Sequence, residues 1–209
     1  MSHTLPPTTH LLYLHGFRSS PQSTKAQLTQ HWVAQHAPGV TWWSPALPPS
    51  PRAACELILS HTASWPTDTM AVIGSSLGGF YASWLSRRRG CRAVVINPSV
   101  QPAHSLAGYV GTHPLWHDPS QHLYFAPEFV DELRTLQTDL PADQPPGPAG
   151  HPEQLLAVLG THDELLPFED MRQRYAACTL RVVPGGDHAL SEYDQLLPEV
   201  MGFLRLPQG

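Results

Sequence analysis

The sequence predicts an α/β fold: one domain built on a six-stranded, mainly parallel sheet covered by helices on both faces. Three observations carry that expectation. Short β-branched or apolar runs alternate along the chain with longer helix-like segments. A glycine-bracketed serine, in "VIGSSLGG", stands where one apolar run gives way to a helix. An acidic pair and a histidine follow closely after the last two apolar runs, and functional groups in such folds collect at the carboxyl ends of parallel strands.

Bulk properties limit the alternatives. With 209 residues, 41% hydrophobic and 14% charged, the chain is large enough for one buried core and too apolar for disorder. A net charge of -5 offers no basic footprint for nucleic acid or an anionic membrane, so a small-molecule partner is expected. The three cysteines, Cys55, Cys91 and Cys178, form no CxxC pair, and their odd number argues against a disulfide framework. That usage fits a reducing cytoplasm. No basic stretch followed by a long apolar one opens the chain, and nowhere do 18 consecutive apolar residues occur, so neither export nor membrane insertion is expected.

Six strands are expected at Leu11 to Leu14, Val40 to Trp43, Thr69 to Ile73, Arg92 to Ile96, Leu155 to Leu159 and Thr179 to Val183. Helices are expected at Ser23 to Gln35, Pro51 to His61, Gly78 to Arg89, Pro127 to Gln137 and Phe168 to Cys178. The 58 residues from 97 to 154 far exceed an ordinary connection. Within the single domain, 1–209, residues 97–150 therefore read as an insertion: a small cap rich in histidine and aromatics, then a proline-rich loop, "LPADQPPGPAG". The run of arginines at 87–89 falls at a helix C-terminus, where cations offset the dipole, and reads as a solvated helix end.

Frame decides between the two serines. Gly74, Ser76 and Gly78 fit G-x-S-x-G, whereas Ser75 at the centre would need glycine at Ile73 and Leu77. Small residues two before and two after Ser76 let strand and helix approach closely while the hydroxyl is held out, a nucleophile elbow. "GSSLGG" lacks the spacing of a dinucleotide or phosphate loop, so no cofactor is expected. A serine needs a base, an orienting acid and oxyanion donors. Asp163 follows the fifth strand in "GTHDELLP", with Glu164 beside it as the alternative acid; His188 follows the sixth in "PGGDHAL". The order Ser, acid, His is that of α/β-hydrolases. The donors expected are the backbone N–H groups of Leu77 and Phe17, with His15, Gly16, Tyr109 and Trp116 lining the substrate site. A metal centre on His15, His162, His188 and Asp163 lacks any HExxH or paired Cys/His spacing, so no metal is expected.

At these motifs the chain resembles a known family. "LYLHGFRSSPQSTKA", "VIGSSLGGFYA", "INPSVQP", "GTHDELLPFED" and "GGDHAL" are similar, over nearly the whole length, to the YqiA/YcfP family of small bacterial α/β-hydrolase esterases. The resemblance implies a cytoplasmic serine hydrolase acting on carboxylic esters, with Ser76, Asp163 and His188 at its triad positions. The order of elements along the chain also suggests a flavodoxin-like strand order, 2-1-3-4-5-6, which is the minimal α/β-hydrolase sheet. The short cap leaves little room for a deep lipid tunnel, so short to medium acyl chains are expected. The alternatives are an acyl-CoA thioesterase, with Arg18 as a candidate phosphate contact, and a catalytically inactive binding protein on the same fold.

Overall fold

The computed structural model describes residues 6–207. Its central sheet is formed by β1 (His10–Leu14), β2 (Thr41–Trp43), β3 (Met70–Ser75), β4 (Arg92–Ile96), β7 (Leu155–Gly160) and β8 (Thr179–Val183). All five pairings are parallel and the order is β2-β1-β3-β4-β7-β8. That is the expected order once β5 (Gly111–Pro114) and β6 (His122–Phe125), which form a separate antiparallel hairpin, are set aside.

The central strands are apolar without alternation because both faces are covered. Leu12, Leu14, Val72 and Val95 pack on one face against Phe80, Trp84 and Leu85 of α3 (Leu77–Arg89). Leu11, Tyr13, Ile73, Val94 and Val158 pack on the other against Val33 of α1 (Thr24–His36) and Leu197, Val200 and Met201 of α7 (Tyr193–Phe203). Successive residues serve opposite layers because strand side chains alternate. Pairings such as Leu14 with Gly74, Ser75 with Ile96 and Gly160 with Val183 bring the carboxyl ends of the strands to one edge. There the chain leaves β1 and β3 toward opposite faces, at the switch point where such sheets place their ligands.

Helix starts follow local chemistry. The Ser23 side chain accepts from the Ala26 amide to cap α1, and Ser50 caps α2 (Pro51–Thr62) in the same way, with proline in its first turn. Two expectations need correction. The helix from Phe168 ends at Arg174 as α6, not at Cys178: the fully buried Tyr175 bonds its hydroxyl to Ser83, and the chain turns there, with the Cys178 amide donating back to Tyr175. The C-terminal α7 was not expected, since Pro198 lies inside it. An internal proline costs a helix about 3 kcal/mol, and here the burial of Leu196, Leu197, Val200 and Met201 outweighs that.

Residues 97–154 contain α4 (Pro102–Ser105), a 3-10 turn (Ala107–Tyr109), the hairpin and α5 (Pro127–Thr138). The segment is not separate from the core, because Phe125, Val130 and Leu133 are buried within the α3-side layer. Among the described residues, no helix is long and apolar enough to cross a membrane.

Candidate active site

Ser76 occupies the one-residue link between β3 and α3 with φ 57 and ψ -121, a conformation that costs a non-glycine residue on the order of 1–3 kcal/mol. Its surroundings hold it there. The Ser76 amide donates to Ile96 O at 3.0 Å, and its carbonyl accepts from the Gly79 and Ser99 amides at 2.9 and 3.0 Å. A methyl group on Gly74 would sit 2.0 Å from Gly78 O, and one on Gly78 would sit 2.1 Å from Leu14 O. Only glycine at both positions lets the elbow close.

The loops after β7 and β8 meet beside this elbow. Asp163 has no exposed side-chain surface, and its Oδ2 lies 2.8 Å from His188 Nδ1. Its other oxygen accepts from the Leu165 and Leu166 amides at 2.9 and 2.8 Å, which fixes the orientation of the carboxylate. Glu164 reaches the same loop differently: its Oε2 accepts from the His188 amide at 3.0 Å. One carboxylate meets the imidazole ring and the other meets the backbone that carries it. Asp187 bonds the Ser191 amide and hydroxyl, shaping the turn.

Ser76 and His188 line a cavity of about 390 Å³ together with Phe17, Leu106, Tyr109 and Trp116. Among the described residues the Phe17 amide has no backbone acceptor, and the Leu77 amide, first in α3, has none within its helix or outside it. Both are free to donate to an incoming oxygen. Tyr109 packs edge-on against Phe17 at 5.6 Å, and Trp116 lies under the Arg18 guanidinium at 4.0 Å.

His15 needs a correction as a substrate contact, for it does not line this cavity and both its ring nitrogens are engaged. Nδ1 faces Gly16 O at 2.9 Å and Nε2 accepts from the Leu47 amide at 3.0 Å. Burial lowers its pKa, keeping the ring in the neutral form this pair of bonds requires. Gly16 is a close neighbour of Ser76, where a methyl group would lie 3.0 Å from Ser76 Cβ. Among the described residues, no three His, Cys, Asp or Glu side chains are grouped as a metal would require.

Two residues that sequence reasoning missed organise this edge. Asn97, fully buried with φ 40, donates from Nδ2 to Asp187 O at 2.8 Å and His188 O at 3.2 Å, and accepts from the Gly160 amide at 2.8 Å. It ties β4, β7 and the His188 loop together. Its signal was a polar residue directly after a buried strand, in "VVINPS". Lys25, in the first turn of α1, donates to Ala189 O. That contact spans 164 residues of sequence, and no local pattern announces it.

Comparison with solved structures places the fold among α/β-hydrolases. A chain from the structure of LipS and LipT, two metagenome-derived lipolytic enzymes, is 16% identical with a TM-score of 0.69, over 95% of this chain and 94% of that one. Est1E from Butyrivibrio proteoclasticus, solved with ferulic acid bound, is 16% identical with a TM-score of 0.63, over 93% and 87%. A monoacylglycerol lipase from Paleococcus ferrophilus is 15% identical with a TM-score of 0.65, over 96% of each chain. The model of the uncharacterised protein family UPF0227 matches residues 10–205, and the chain belongs to that family.

Proposed function

We propose that the protein is a serine hydrolase that cleaves carboxylic esters of short to medium acyl chains, with Ser76 as nucleophile, His188 as general base and Asp163 as its orienting acid. One observation carries the reading: a fully buried aspartate 2.8 Å from a histidine that shares a cavity with a serine on a strained strand-to-helix turn. The solved neighbours described as lipolytic enzymes and a lipase support the reaction class.

In this mechanism Ser76 Oγ attacks the ester carbonyl carbon while its proton passes to His188 Nε2. Asp163 holds the ring through Nδ1 and stabilises the imidazolium. The oxyanion accepts from the Phe17 and Leu77 amides. Collapse breaks the bond to the alcohol oxygen, which leaves with the proton from His188. Water then attacks the acyl-serine with His188 again as base, and the carboxylic acid departs as Ser76 is restored.

The acyl chain is assigned to the 390 Å³ cavity, whose apolar lining comes from Phe17, Leu106, Tyr109, Leu165 and Leu166. Each buried methylene adds roughly 0.8 kcal/mol until the cavity is full, so kcat/KM across an acyl series should rise and then fall. Arg18 is already engaged, donating to Pro114 O at 2.8 Å and stacking on Trp116, which does not favour it as a CoA phosphate contact.

The test combines labelling with turnover. A fluorophosphonate should modify Ser76, and Ser76→Ala should lower hydrolysis of p-nitrophenyl butyrate by several orders of magnitude while Ser75→Ala retains most of it. Near-full turnover in Ser76→Ala would overturn the mechanism. Rates that climb steadily to sixteen-carbon esters would overturn the chain-length assignment, and matching acyl-CoAs outpacing esters by about a hundredfold would make a thioesterase the better description.

A further inference from the structure

On the α1 side of Ser76 lies a second, smaller pocket of about 160 Å³ that the proposed reaction leaves unused. It shares Ser76 and His188 with the main cavity, but Tyr13, Ser19, Ser23 and Lys25 give it a polar lining. Two of these groups keep hydrogen-bonding capacity unused. The Tyr13 side chain is completely buried, and its hydroxyl has no hydrogen-bond partner of ordinary geometry, although the Ser23 side chain is close enough to offset part of the effect of burial on it. The Lys25 ammonium donates to Ala189 O, and among the described residues no carboxylate stands in ion-pair contact with it. Asp187 and Asp163 act on it only from a distance.

Lys25 is half-buried with no carboxylate beside it, and an unmade hydrogen bond in the interior, as at Tyr13, is costly. Here both deficits face one space beside the nucleophile. An acceptor would meet every free donor there. Lys25 keeps two further N–H donors, Tyr13 keeps its O–H, and Ser23, whose oxygen already accepts from the Ala26 amide, keeps its hydroxyl hydrogen. A carboxylate accepts only, through two oxygens, and carries the charge that Lys25 lacks.

We propose that this pocket binds a carboxylate on the alcohol portion of the substrate, with Lys25 and Tyr13 as its specificity-determining contacts, so that the preferred esters are those of short hydroxy acids. The inference rests on the hydrolase reading, because the apolar cavity is taken by the acyl chain and the polar pocket remains for the leaving group. A volume of about 160 Å³ suits a short alcohol portion. Desolvation brings the Lys25 pKa down to about 8, a penalty on the cation that a bound carboxylate relieves.

The test compares kcat/KM for the butyrate esters of glycolate and of its one-carbon-longer homologue, each against the ester of the corresponding amide. The wild type should prefer at least one carboxylate over its amide by about tenfold or more, as a charge-assisted hydrogen bond implies. Lys25→Met should bring that ratio to about one, and Tyr13→Phe should lower it severalfold. A wild-type ratio at or below one, or a ratio untouched by both variants, overturns the proposal and leaves Lys25 as a tether for the His188 loop. Should Lys25→Met fail to fold, Tyr13→Phe decides.

Parallel assays with p-nitrophenyl butyrate separate the two levels of inference. Turnover of that ester without carboxylate preference sinks the pocket and spares the hydrolase. If no ester is cleaved the hydrolase reading fails, and the pocket is judged by binding: glycolate, but not glycolamide, should raise the Tm of the wild type and not of Lys25→Met. No rise then overturns the carboxylate site as well.

Discussion

The floor of the main cavity is made of strand ends, whereas its outer wall comes from the 3-10 turn and the tip of the hairpin, where Tyr109 and Trp116 are exposed. On the floor, Asp163 is fully buried and carries three hydrogen bonds, and Ser76 is held by bonds to three neighbouring segments. In the wall, Trp116 is 65% and Tyr124 58% exposed. The tip of the hairpin is tied to the loop after β1 by two polar contacts: the Trp116 amide donates to Arg18 O at 2.9 Å, and Arg18 Nε donates to Pro114 O. Groups that move protons and stabilise charge must be fixed before substrate arrives, since their contribution depends on needing no reorganisation. Groups that only enclose an acyl chain need apolar surface, which loosely held aromatics supply. Substitutions on the floor should therefore change kcat or the fold, and substitutions in the wall should change KM.

The sharpest break in that comparison lies within the floor itself, between two adjacent carboxylates. In Asp163→Asn the amide nitrogen can meet His188 Nδ1 only as a donor, which favours the wrong tautomer and removes the charge opposite the imidazolium. We expect kcat to fall by about 10³- to 10⁴-fold with little change in KM. Glu164→Gln keeps an oxygen that can accept from the His188 amide, so its loss should stay within roughly tenfold. Steady-state kinetics of both variants tests this, and the reverse ranking would give the orienting role to Glu164.

Glycine substitutions test packing instead of chemistry. A methyl group on Gly78 would collide with Leu14 O and His15 O, both backbone atoms that cannot move without disturbing β1. Gly78→Ala should cost at least about 3 kcal/mol, beyond the usual range of overpacking. For a domain of this size that lowers Tm by roughly 10 °C or prevents folding. Gly108, in the 3-10 turn of the wall, has nothing within 4 Å of an added methyl, and Gly108→Ala should stay within about 0.5 kcal/mol. Equal losses at the two positions would mean that the wall is as tightly specified as the floor.

The same division governs what was legible in the sequence. The sheet and the elbow were readable because their signals are local: unbroken apolar runs for β1, β3, β4 and β7, and glycine at fixed offsets from Ser76 where backbones touch. That Asp163 and His188 lie on neighbouring loops at the sheet edge was readable from their places after the last two strands, and their side chains meet there at 2.8 Å. The hairpin was not. Gly111–Pro114 and His122–Phe125 are half-exposed, carry histidine and proline, and have no strong strand propensity, so pairing across the turn creates them. His15 misled because an imidazole beside the elbow suits substrate contact, and its real partner, Leu47, lies 32 residues away. Lys25 was illegible for the same reason, its partner Ala189 lying 164 residues along the chain, and Asn97 offered only the weak signal of a polar residue after a buried strand.

Trp116 offers the mildest test and the most direct one for the wall. Its ring lines the cavity on one side and stacks under Arg18 on the other, yet two thirds of it is exposed, so little burial is lost on truncation. An exposed cation–π contact is worth roughly 0.5–1 kcal/mol, so Trp116→Ala should lower Tm by no more than about 2–4 °C. Opening the wall removes apolar surface from both the bound acyl chain and the transition state equally, which raises KM and spares kcat. A rise in KM of roughly three- to tenfold for p-nitrophenyl butyrate corresponds to about 0.7–1.4 kcal/mol of lost contact. The preference among chain lengths should flatten at the same time, because part of the apolar lining has been removed. A kcat reduced a hundredfold with KM unchanged would show instead that the hairpin helps to assemble the reacting groups, and the separation between fixed floor and loosely held wall would no longer describe this site.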